Sequence, residues 1–276
     1  MLQDPSDSSS PYYPGAQGEV PQSSPSGRWV EVPYPGERPI VTYSLMGITI
    51  AAFLLQLASP YLVTNPDPVT KMIMELSGQD PFTAWGMKIN EMILRGQFWR
   101  LFTPMFLHGS ILHIAFNMYA LFALGPGLER HYGHGRFLAL YLLSGFAGNV
   151  FSFLLTDAPS LGSSTAIFGL LGAEGVFIYR NRQLFGETSR RALTNVVTIA
   201  VINLIIGLSP GIDNWGHLGG LIGGTLFAWW AGPVLRLEGT YPLLTLKDER
   251  DTGDALRAGF GVLAVFMALA AIGFVI

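Results

Sequence analysis

Seven apolar runs, separated by polar segments, follow one another along the chain from residue 40 onwards. Each run is near the ~20 residues that an α-helix needs to cross the hydrocarbon core of a bilayer. The runs occupy residues 40–63, 109–124, 137–156, 165–179, 192–208, 215–233 and 255–276. This pattern predicts an all-α polytopic membrane protein in which the second and fourth spans are short.

The polar segments between the runs differ in character. Residues 1–39 hold eight prolines and many Ser and Gly residues, a composition that predicts a disordered tail. The first loop, residues 64–108, mixes Met, Ile, Leu and Trp with charged residues at 71–76 and 85–94, which predicts short helices in the plane of the membrane interface. Residues 234–254 are interpreted as a linker before the last span.

Basic residues are unevenly distributed among the loops. The loops after the second, fourth and sixth spans contain Arg or Lys, whereas those after the third and fifth contain neither. The positive-inside rule then places the N-terminal tail and the linker in the cytoplasm and the C-terminus outside. No signal peptide pattern stands at the N-terminus, and we expect a bacterial plasma membrane.

Composition agrees with a membrane protein. Only 13% of the residues are charged and half are apolar, whereas a soluble domain carries about 25% charged residues. The net charge of −3 provides no basic field for nucleic acid. Because there is no cysteine, disulfide and thiolate chemistry are excluded.

Four polar side chains lie near the outer ends of predicted spans, at a depth where polar groups are costly and usually functional. His113 and Asn117 are four residues apart in the second span, so they share one helix face. Ser164 stands at the first turn of the fourth span, and His217 lies near the start of the sixth. The predicted topology brings all four to the outer half of the membrane.

Glycines predict that the fourth and sixth spans pack closely. Gly220 and Gly224 fall on the face of His217. Gly172 and Gly175 fall near the face of the candidate serine on the fourth span. Small residues let helix backbones approach each other in lipid, so the serine and the histidine can come within hydrogen-bond reach.

A serine beside a histidine is the minimum for nucleophilic acyl transfer. His217 would take the hydroxyl proton of Ser164, and His113 and Asn117 could donate hydrogen bonds to the oxyanion. Gly162 would let the preceding loop approach the substrate carbonyl. We find no Asp or Glu placed to orient the histidine, so a dyad without cofactor or metal is predicted.

Other interpretations of these residues stay open. Ser164 could be only the N-cap of its helix, and Ser163 is a rival nucleophile. His108, His113 and His217 could bind a catalytic zinc ion, although the spacing of the first two is poor for one helix face. No carboxylate is evident behind them.

A transport function is the remaining alternative from another class. It predicts ionisable residues along a path through the membrane. The inner halves of the predicted spans are almost uncharged, with Glu174 the exception, which argues against transport. Asn117 could also serve only as a hydrogen-bonding residue between helices.

Several motifs resemble those of the rhomboid intramembrane serine proteases. GSSTAIFGLLG, from residue 162, is similar to the family's G-x-S motif at the start of its fourth transmembrane helix. HGSILHIAFN, from residue 108, has the H-x4-H-x3-N pattern of the second helix. GHLGGLIGG, from residue 216, has the histidine of the sixth helix with glycines three and seven residues later. Trp99-Arg100 and Glu129-Arg130 are similar to the family's WR pair and its acidic–basic pair.

The resemblance covers about residues 99–224 and implies a rhomboid-like core of six transmembrane helices over 40–233, followed by one C-terminal helix over 255–276. It implies that Ser164 is the nucleophile and His217 the base, with His113 and Asn117 at the oxyanion. The residues to which it gives structural roles are Trp99, Arg100, His108, Glu129, Gly162, Phe168, Gly220 and Gly224. Phe168 stands where an aromatic ring often stacks on the catalytic histidine.

The function implied is that of an intramembrane serine endopeptidase, which cleaves transmembrane segments of membrane proteins near the outer face. The alternative is a rhomboid-like pseudoprotease, which binds membrane proteins without cleaving them. Pseudoproteases lack the serine or the histidine, whereas this chain has both. One departure from the family is Thr165, which stands where Gly is usual and could narrow the site or compete for His217.

Overall fold

The computed structural model of the protein describes residues 19–23, 29–33, 38–240 and 243–275. The elements are β1 (Glu19–Ser23), β2 (Trp29–Pro33), α1 (Ile40–Leu62), α2 (Pro68–Ser77), α3 (Pro81–Gly86), α4 (Asn90–Leu94), α5 (Ile111–Tyr132), α6 (His134–Leu155), α7 (Ser164–Arg180), α8 (Arg182–Phe185), α9 (Glu187–Ile206), α10 (Asn214–Ala231), β3 (Leu235–Glu238), β4 (Thr245–Asp248) and α11 (Thr252–Ile272). The prediction of an all-α protein is confirmed, since the strands within these ranges form only two short antiparallel pairs.

Seven long helices correspond to the seven predicted spans. Five of them, α1, α5, α6, α9 and α11, are long and apolar enough to cross a membrane. The other two, α7 with 17 residues and α10 with 18, fall outside that group. They are the helices that carry the candidate serine and histidine. Both are glycine-rich and mostly buried among their neighbours, so they contribute less apolar surface to lipid.

Most of the predicted spans begin and end within a few residues of the corresponding helices. The largest difference is at the end of α5. This helix continues to Tyr132, past Pro126, which it accommodates. Glu129 therefore lies in the helix and not in a loop as predicted. Its carboxylate accepts hydrogen bonds from the amides of Val41, at 2.8 Å, and Thr42, at 2.7 Å. Because Pro39 offers α1 no side-chain cap, Glu129 takes that role from another helix.

α10 packs against α7 through glycine backbone. A Cβ atom added at Gly220 would overlap the carbonyl oxygen of Thr165, and one added at Gly224 would overlap that of Gly169. Only glycine permits this contact, so the two helices touch backbone to backbone.

A second row of glycines on α10 faces α6. Cβ atoms added at Gly219 and Gly223 would overlap Phe151 and Ala147, respectively. Gly172 of α7 also faces α10, as expected. Gly175 does not, because its nearest neighbours are side chains of α9.

The first loop folds into α2, α3, α4 and two 3₁₀ turns, Phe98–Leu101 and Thr103–Phe106. The predicted helix at 71–76 lies within α2, whereas the one predicted at 85–94 spans the end of α3, a break and α4. The prediction missed Asp67-Pro68 and Asp80-Pro81, which place a capping carboxylate before a proline at the first helical position. Asp67 accepts from Val69 N at 3.0 Å, and Asp80 from Phe82 N at 2.9 Å.

At the end of α7 remote from Ser164, residues 234–254 form more than the predicted linker. Within the described residues β3 and β4 make a hairpin. Arg136 of α6 donates to the Asp248 carboxylate at 2.6 Å, and Asn181 accepts from Leu235 N at 2.7 Å. These contacts fix the connection between α10 and α11.

Most of the predicted disordered tail, residues 1–39, lies outside the described residues. Where it is described, β1 and β2 pair in antiparallel register from Glu19 opposite Pro33 to Ser23 opposite Trp29. The prediction overlooked the Val-rich stretch WVEVP, whose β-branched residues favour strands.

Candidate active site

Ser164 is the first residue of α7. The chain reaches it through Gly162, whose φ of +131° is a conformation that side-chain-bearing residues rarely adopt. The N-cap position belongs to Ser163, and no side chain caps this helix by a hydrogen bond. Helix capping by Ser164, one of the alternatives, is therefore not what this residue does.

Ser164 and His217 lie within hydrogen-bond distance. The Oγ of Ser164 is 2.9 Å from Nε2 of His217. The imidazole ring stacks on Phe168, with ring centroids 4.4 Å apart and planes inclined by 14°. Phe168 is one turn after Ser164 on the same helix. α7 therefore supplies both the hydroxyl that contacts His217 and the aromatic ring on which the imidazole stacks.

His113 and Asn117 face the same space from α5. A Cβ atom added at Gly162 would lie 2.7 Å from Nε2 of His113 and 3.6 Å from Oγ of Ser164. The amide nitrogen of Asn117 donates one hydrogen bond to the His113 carbonyl at 3.1 Å. Its second hydrogen remains for another acceptor.

His108 belongs to a separate buried pair. Its Nε2 lies 3.3 Å from Oγ of Ser163, and both residues are nearly inaccessible. Burial, with the nearby charge of His113 as a smaller cause, lowers the pKa of His108 to about 3. Ser163 is fully buried and does not line the cavity beside His217, which weakens its case as the nucleophile.

The WR pair anchors the first loop. Arg100 is 1% exposed, and its guanidinium donates to the Met87 carbonyl and to Gln97, both at 2.7 Å. Trp99 donates from Nε1 to the carbonyl of Trp85 at 3.1 Å. Burial lowers the pKa of Arg100 to about 10.

Lys88 connects the first loop to the segment before Ser164, and the sequence analysis missed it. Its backbone pairs with Ser160 in an antiparallel bridge. Its ammonium donates to the carbonyls of Thr156, at 2.7 Å, and Ala158, at 3.0 Å, beyond the end of α6. Burial lowers the pKa of Lys88 to about 8, against the opposing charges of two carboxylates. A single lysine in a mixed loop carries no sequence signal for this role.

Asp213 lies near His217, although the sequence analysis found no carboxylate placed to orient the ring, and no hydrogen bond joins the two side chains. It is the N-cap of α10, and its Oδ1 accepts from Gly216 N at 2.8 Å. Asp213 precedes His217 by one helical turn and lines the same cavity. The signal was available, because Asp is a preferred N-cap and the spacing of four residues puts both on one face.

Thr165 does not occupy the space between Ser164 and His217. The Cβ atom that Gly148 lacks would lie 2.6 Å from Cβ of Thr165, and the one that Gly216 lacks would lie 3.1 Å from its Cγ2. Glycines on α6 and α10 thus accommodate the larger side chain. Oγ1 of Thr165 makes no hydrogen bond within the described part of the chain.

Two histidines that follow the second predicted span lie in helices of the structure. His131 lies in α5, where its Nδ1 donates to the Gly127 carbonyl at 2.7 Å and its ring packs on Phe177. His134 begins α6 and pairs with Glu129 at 2.6 Å. His131 is helical because α5 ends later than predicted, and His134 because α6 begins earlier.

A cavity of ≈730 Å³ opens beside Ser164 and His217. Helices α5, α7, α9 and α10 form its walls. His113, Asn117 and Asp213 add polar groups at one end, and the rest of the lining is mostly apolar. Among the residues described, no three His, Cys, Asp or Glu side chains are grouped so that they could hold a metal ion.

Comparison with known proteins identifies the family. Residues 95–234 match the Rhomboid domain. The chain is 45% identical over 157 residues to the rhomboid protease GluP of Bacillus subtilis, a match covering 55% of this chain and 30% of GluP. It is 34% identical over 191 residues to the chloroplastic RHOMBOID-like protein 9 of Arabidopsis thaliana, covering 67% of this chain and 44% of that protein.

A third relative matches over most of its length. The chain is 30% identical over 202 residues to the Rhomboid-like protease 3 of Toxoplasma gondii, which covers 71% of both proteins. By contrast, the chain spans less than half the length of GluP and of the Arabidopsis protein. With the helical fold and the apolar helices already described, these matches show that the chain is an integral membrane protein and belongs to the rhomboid family.

Proposed function

We propose that the protein is an intramembrane serine endopeptidase, with Ser164 as the nucleophile and His217 as the general base. The observation that carries the proposal is the distance of 2.9 Å between Oγ of Ser164 and Nε2 of His217, beside an accessible cavity. In this proposal residues 40–233 form the catalytic core, and residues 255–276 add a seventh membrane helix.

The reaction follows from this pair. Oγ of Ser164 adds to the carbonyl carbon of the scissile peptide bond while Nε2 of His217 takes the hydroxyl proton. The tetrahedral intermediate collapses, the C–N bond breaks, and the imidazolium gives the proton to the leaving amine. His217 then takes a proton from water, whose oxygen adds to the ester carbon. The bond between that carbon and Oγ of Ser164 breaks, the imidazolium returns the proton to Oγ, and the new carboxyl terminus leaves.

His113, Asn117 and the backbone N–H of Ser164 are the proposed donors to the oxyanion. Asn117 has one amide hydrogen left for this purpose, and His113 faces the carbonyl-binding space at Gly162. Donors held in place before the reaction stabilise the negative charge without reorganisation. Removing one such donor typically lowers kcat by about 100- to 1,000-fold.

The substrates proposed are transmembrane segments of other membrane proteins. An apolar segment suits a cavity whose walls are mostly apolar, and the polar end of the cavity suits its unwound backbone. Entry between α5 and α9 is the easiest route, because α9 has only two buried residues, Val196 and Ala200. We further propose a bacterial plasma membrane, with the N-terminus in the cytoplasm and cleavage near the outer face.

Labelling by a fluorophosphonate probe tests the proposal. The detergent-solubilised protein should form a covalent adduct at Ser164. Ser164→Ala and His217→Ala should lose labelling, whereas Ser163→Ala should keep it, because Ser163 pairs with His108. Labelling lost only in Ser163→Ala would make that residue the nucleophile.

A cleavage assay with a single-span membrane protein separates the protease from the non-proteolytic alternative. Wild type should cut the substrate and Ser164→Ala should not. If wild type neither labels nor cuts while an active rhomboid protease does both in parallel, the protease assignment is wrong. A pseudoprotease that only binds membrane proteins would then be the better interpretation.

A further inference from the structure

Asp213 and His217 present two buried polar atoms without partners. Oδ1 of Asp213 caps α10, but Oδ2 is sealed from solvent and makes no hydrogen bond to a described residue. Nδ1 of His217 is also buried and makes no hydrogen bond to a described residue. Buried polar atoms are nearly always hydrogen-bonded, and each exception needs an explanation.

The two atoms are chemically complementary. If Nε2 of His217 accepts the proton of Ser164, Nδ1 must carry the hydrogen of the neutral ring. Nδ1–H is then a donor without an acceptor, while Oδ2 of Asp213 is an acceptor without a donor. Residues four apart lie on the same side of a helix, so the carboxylate and the imidazole are neighbours on α10.

Gly216 keeps the space next to this carboxylate open. The Cβ atom that Gly216 lacks would lie 2.8 Å from Oδ2 of Asp213 and 3.1 Å from Cγ2 of Thr165. The carboxylate therefore reaches the face of α7 that carries Ser164. The unpartnered hydroxyl of Thr165 lies on that face too.

Other charged and titratable groups that bear on the pair come from the first loop and from α5. Lys88 is an electrostatic partner of Asp213, and burial lowers the pKa of Lys88 to about 8. His113 of α5 lines the cavity with His217. Lys88 titrates on the alkaline side of neutrality, so the acid side of an activity profile reports mainly on the histidines.

We propose that Asp213 is a positioning residue for His217, an inference that rests on the proposed function. No hydrogen bond joins the two side chains, so the carboxylate acts through its charge. The charge favours the ring with Nδ1 protonated and stabilises the imidazolium that forms when Ser164 attacks. The proton moves only between Ser164, His217 and the leaving group, and Asp213 supports this pair from behind the base.

Asp213→Asn isolates the charge, because Asn keeps the oxygen that caps α10 and is an equally good N-cap. The rate constant of fluorophosphonate labelling is measured from pH 4 to pH 9. Without the negative charge the imidazolium is less stable, so the acid limb of the profile should move to lower pH by about one unit. The plateau rate should fall by about 10-fold or more, while the melting temperature stays near that of wild type.

Asp251→Asn is the matched control, because Asp251 also caps a long helix through a carboxylate, at the start of α11. It should leave both the acid limb and the plateau unchanged. If Asp213→Asn also gives the wild-type limb and plateau, Asp213 is only a helix cap and the proposal is wrong.

A second measurement does not depend on activity. In protein carrying ¹⁵N-histidine, the signal of His217 is identified by its loss in His217→Gln, and its shifts report which ring nitrogen is protonated. Wild type should show the Nδ1-protonated form, and Asp213→Asn a mixture of forms; the same distribution in both would overturn the proposal. A wild-type protein that does not label at all would instead count against the proposed function, with this measurement still deciding the role of Asp213.

Discussion

α10 and α9 are long helices that line the same cavity, yet they are packed in opposite ways. Half of α10 is buried, and its glycines touch the backbones of α6 and α7. α9 has 20 residues, of which only two are buried, and it packs mainly on α7. The helix that carries the proposed base is thus fixed, while the helix that bounds the cavity is loosely held.

The difference has a physical cause. Backbone-to-backbone packing leaves no side chain whose rotation could absorb a shift, so the position of His217 relative to Ser164 is closely defined. The exposed side chains of α9 include Val197, Val201, Ile202, Ile205 and Ile206, which lipid solvates as well as protein does. Moving α9 therefore costs little, whereas moving α10 breaks the site.

The largest effect is expected where a side chain is added to the tight interface. Gly220→Ala places a methyl group against the Thr165 carbonyl, next to Ser164. Overpacking against immobile backbone should cost about 3 kcal/mol of unfolding free energy. Thermal unfolding in detergent and labelling of Ser164 measure the result, and both should fall sharply.

Gly261→Ala in α11 is the control for this change, since nothing lies within 4 Å of the added atom. It should melt and label as wild type does. A Gly220→Ala protein with an unchanged melting temperature would show that α7 and α10 are not packed backbone to backbone.

A smaller loss of stability is expected when the pH is lowered, and it comes from the buried His108. The pKa of His108 is about 3 in the folded protein, mainly because of burial, against about 6.5 for an unfolded histidine. Between these values the unfolded chain binds a proton that the folded protein does not. Stability should be complete above pH 6.5 and fall by up to about 1.4 kcal/mol per pH unit below it.

Melting temperatures at pH 7.5 and pH 5.0 measure this loss, and His108→Gln should flatten the dependence. α9 has no ionisable side chain after Arg191, so acid should not act on it directly. An acid-induced loss of the same size in His108→Gln would mean that another group is responsible.

The smallest effects are expected on α9, where two adjacent valines provide a matched pair. Val196 is 7% exposed and Val197 is 54% exposed. Val196→Ala should cost about 1–2 kcal/mol through lost packing on α7, and Val197→Ala less than about 0.5 kcal/mol. Equal losses in the two variants, measured by thermal unfolding, would break the contrast between α9 and α10.

The elements of the site that could be predicted from the sequence are those with a local signature. Seven apolar runs located the long helices, and the mixed stretch at 71–76 located α2. The glycines after His217 predicted close packing on α7, which the overlap between Gly220 and Thr165 supports. Each of these features depends on residues close together in the chain.

The features that were missed depend on distant residues. The second apolar run ends at residue 124, whereas α5 continues to Tyr132, where Glu129 contacts Val41 and Thr42 of α1. Lys88 appeared as one charge in a mixed loop, and its partners are 68 and 70 residues away.

The sequence by itself determined the family, the apolar helices and the identity of the candidate nucleophile and base, because periodicity and motif spacing are properties of the chain. Only the tertiary structure decided that Thr165 fits between Gly148 and Gly216. This outcome depends on how α6, α7 and α10 approach one another. That approach is set by the sum of contacts among three helices, which no single stretch of sequence encodes.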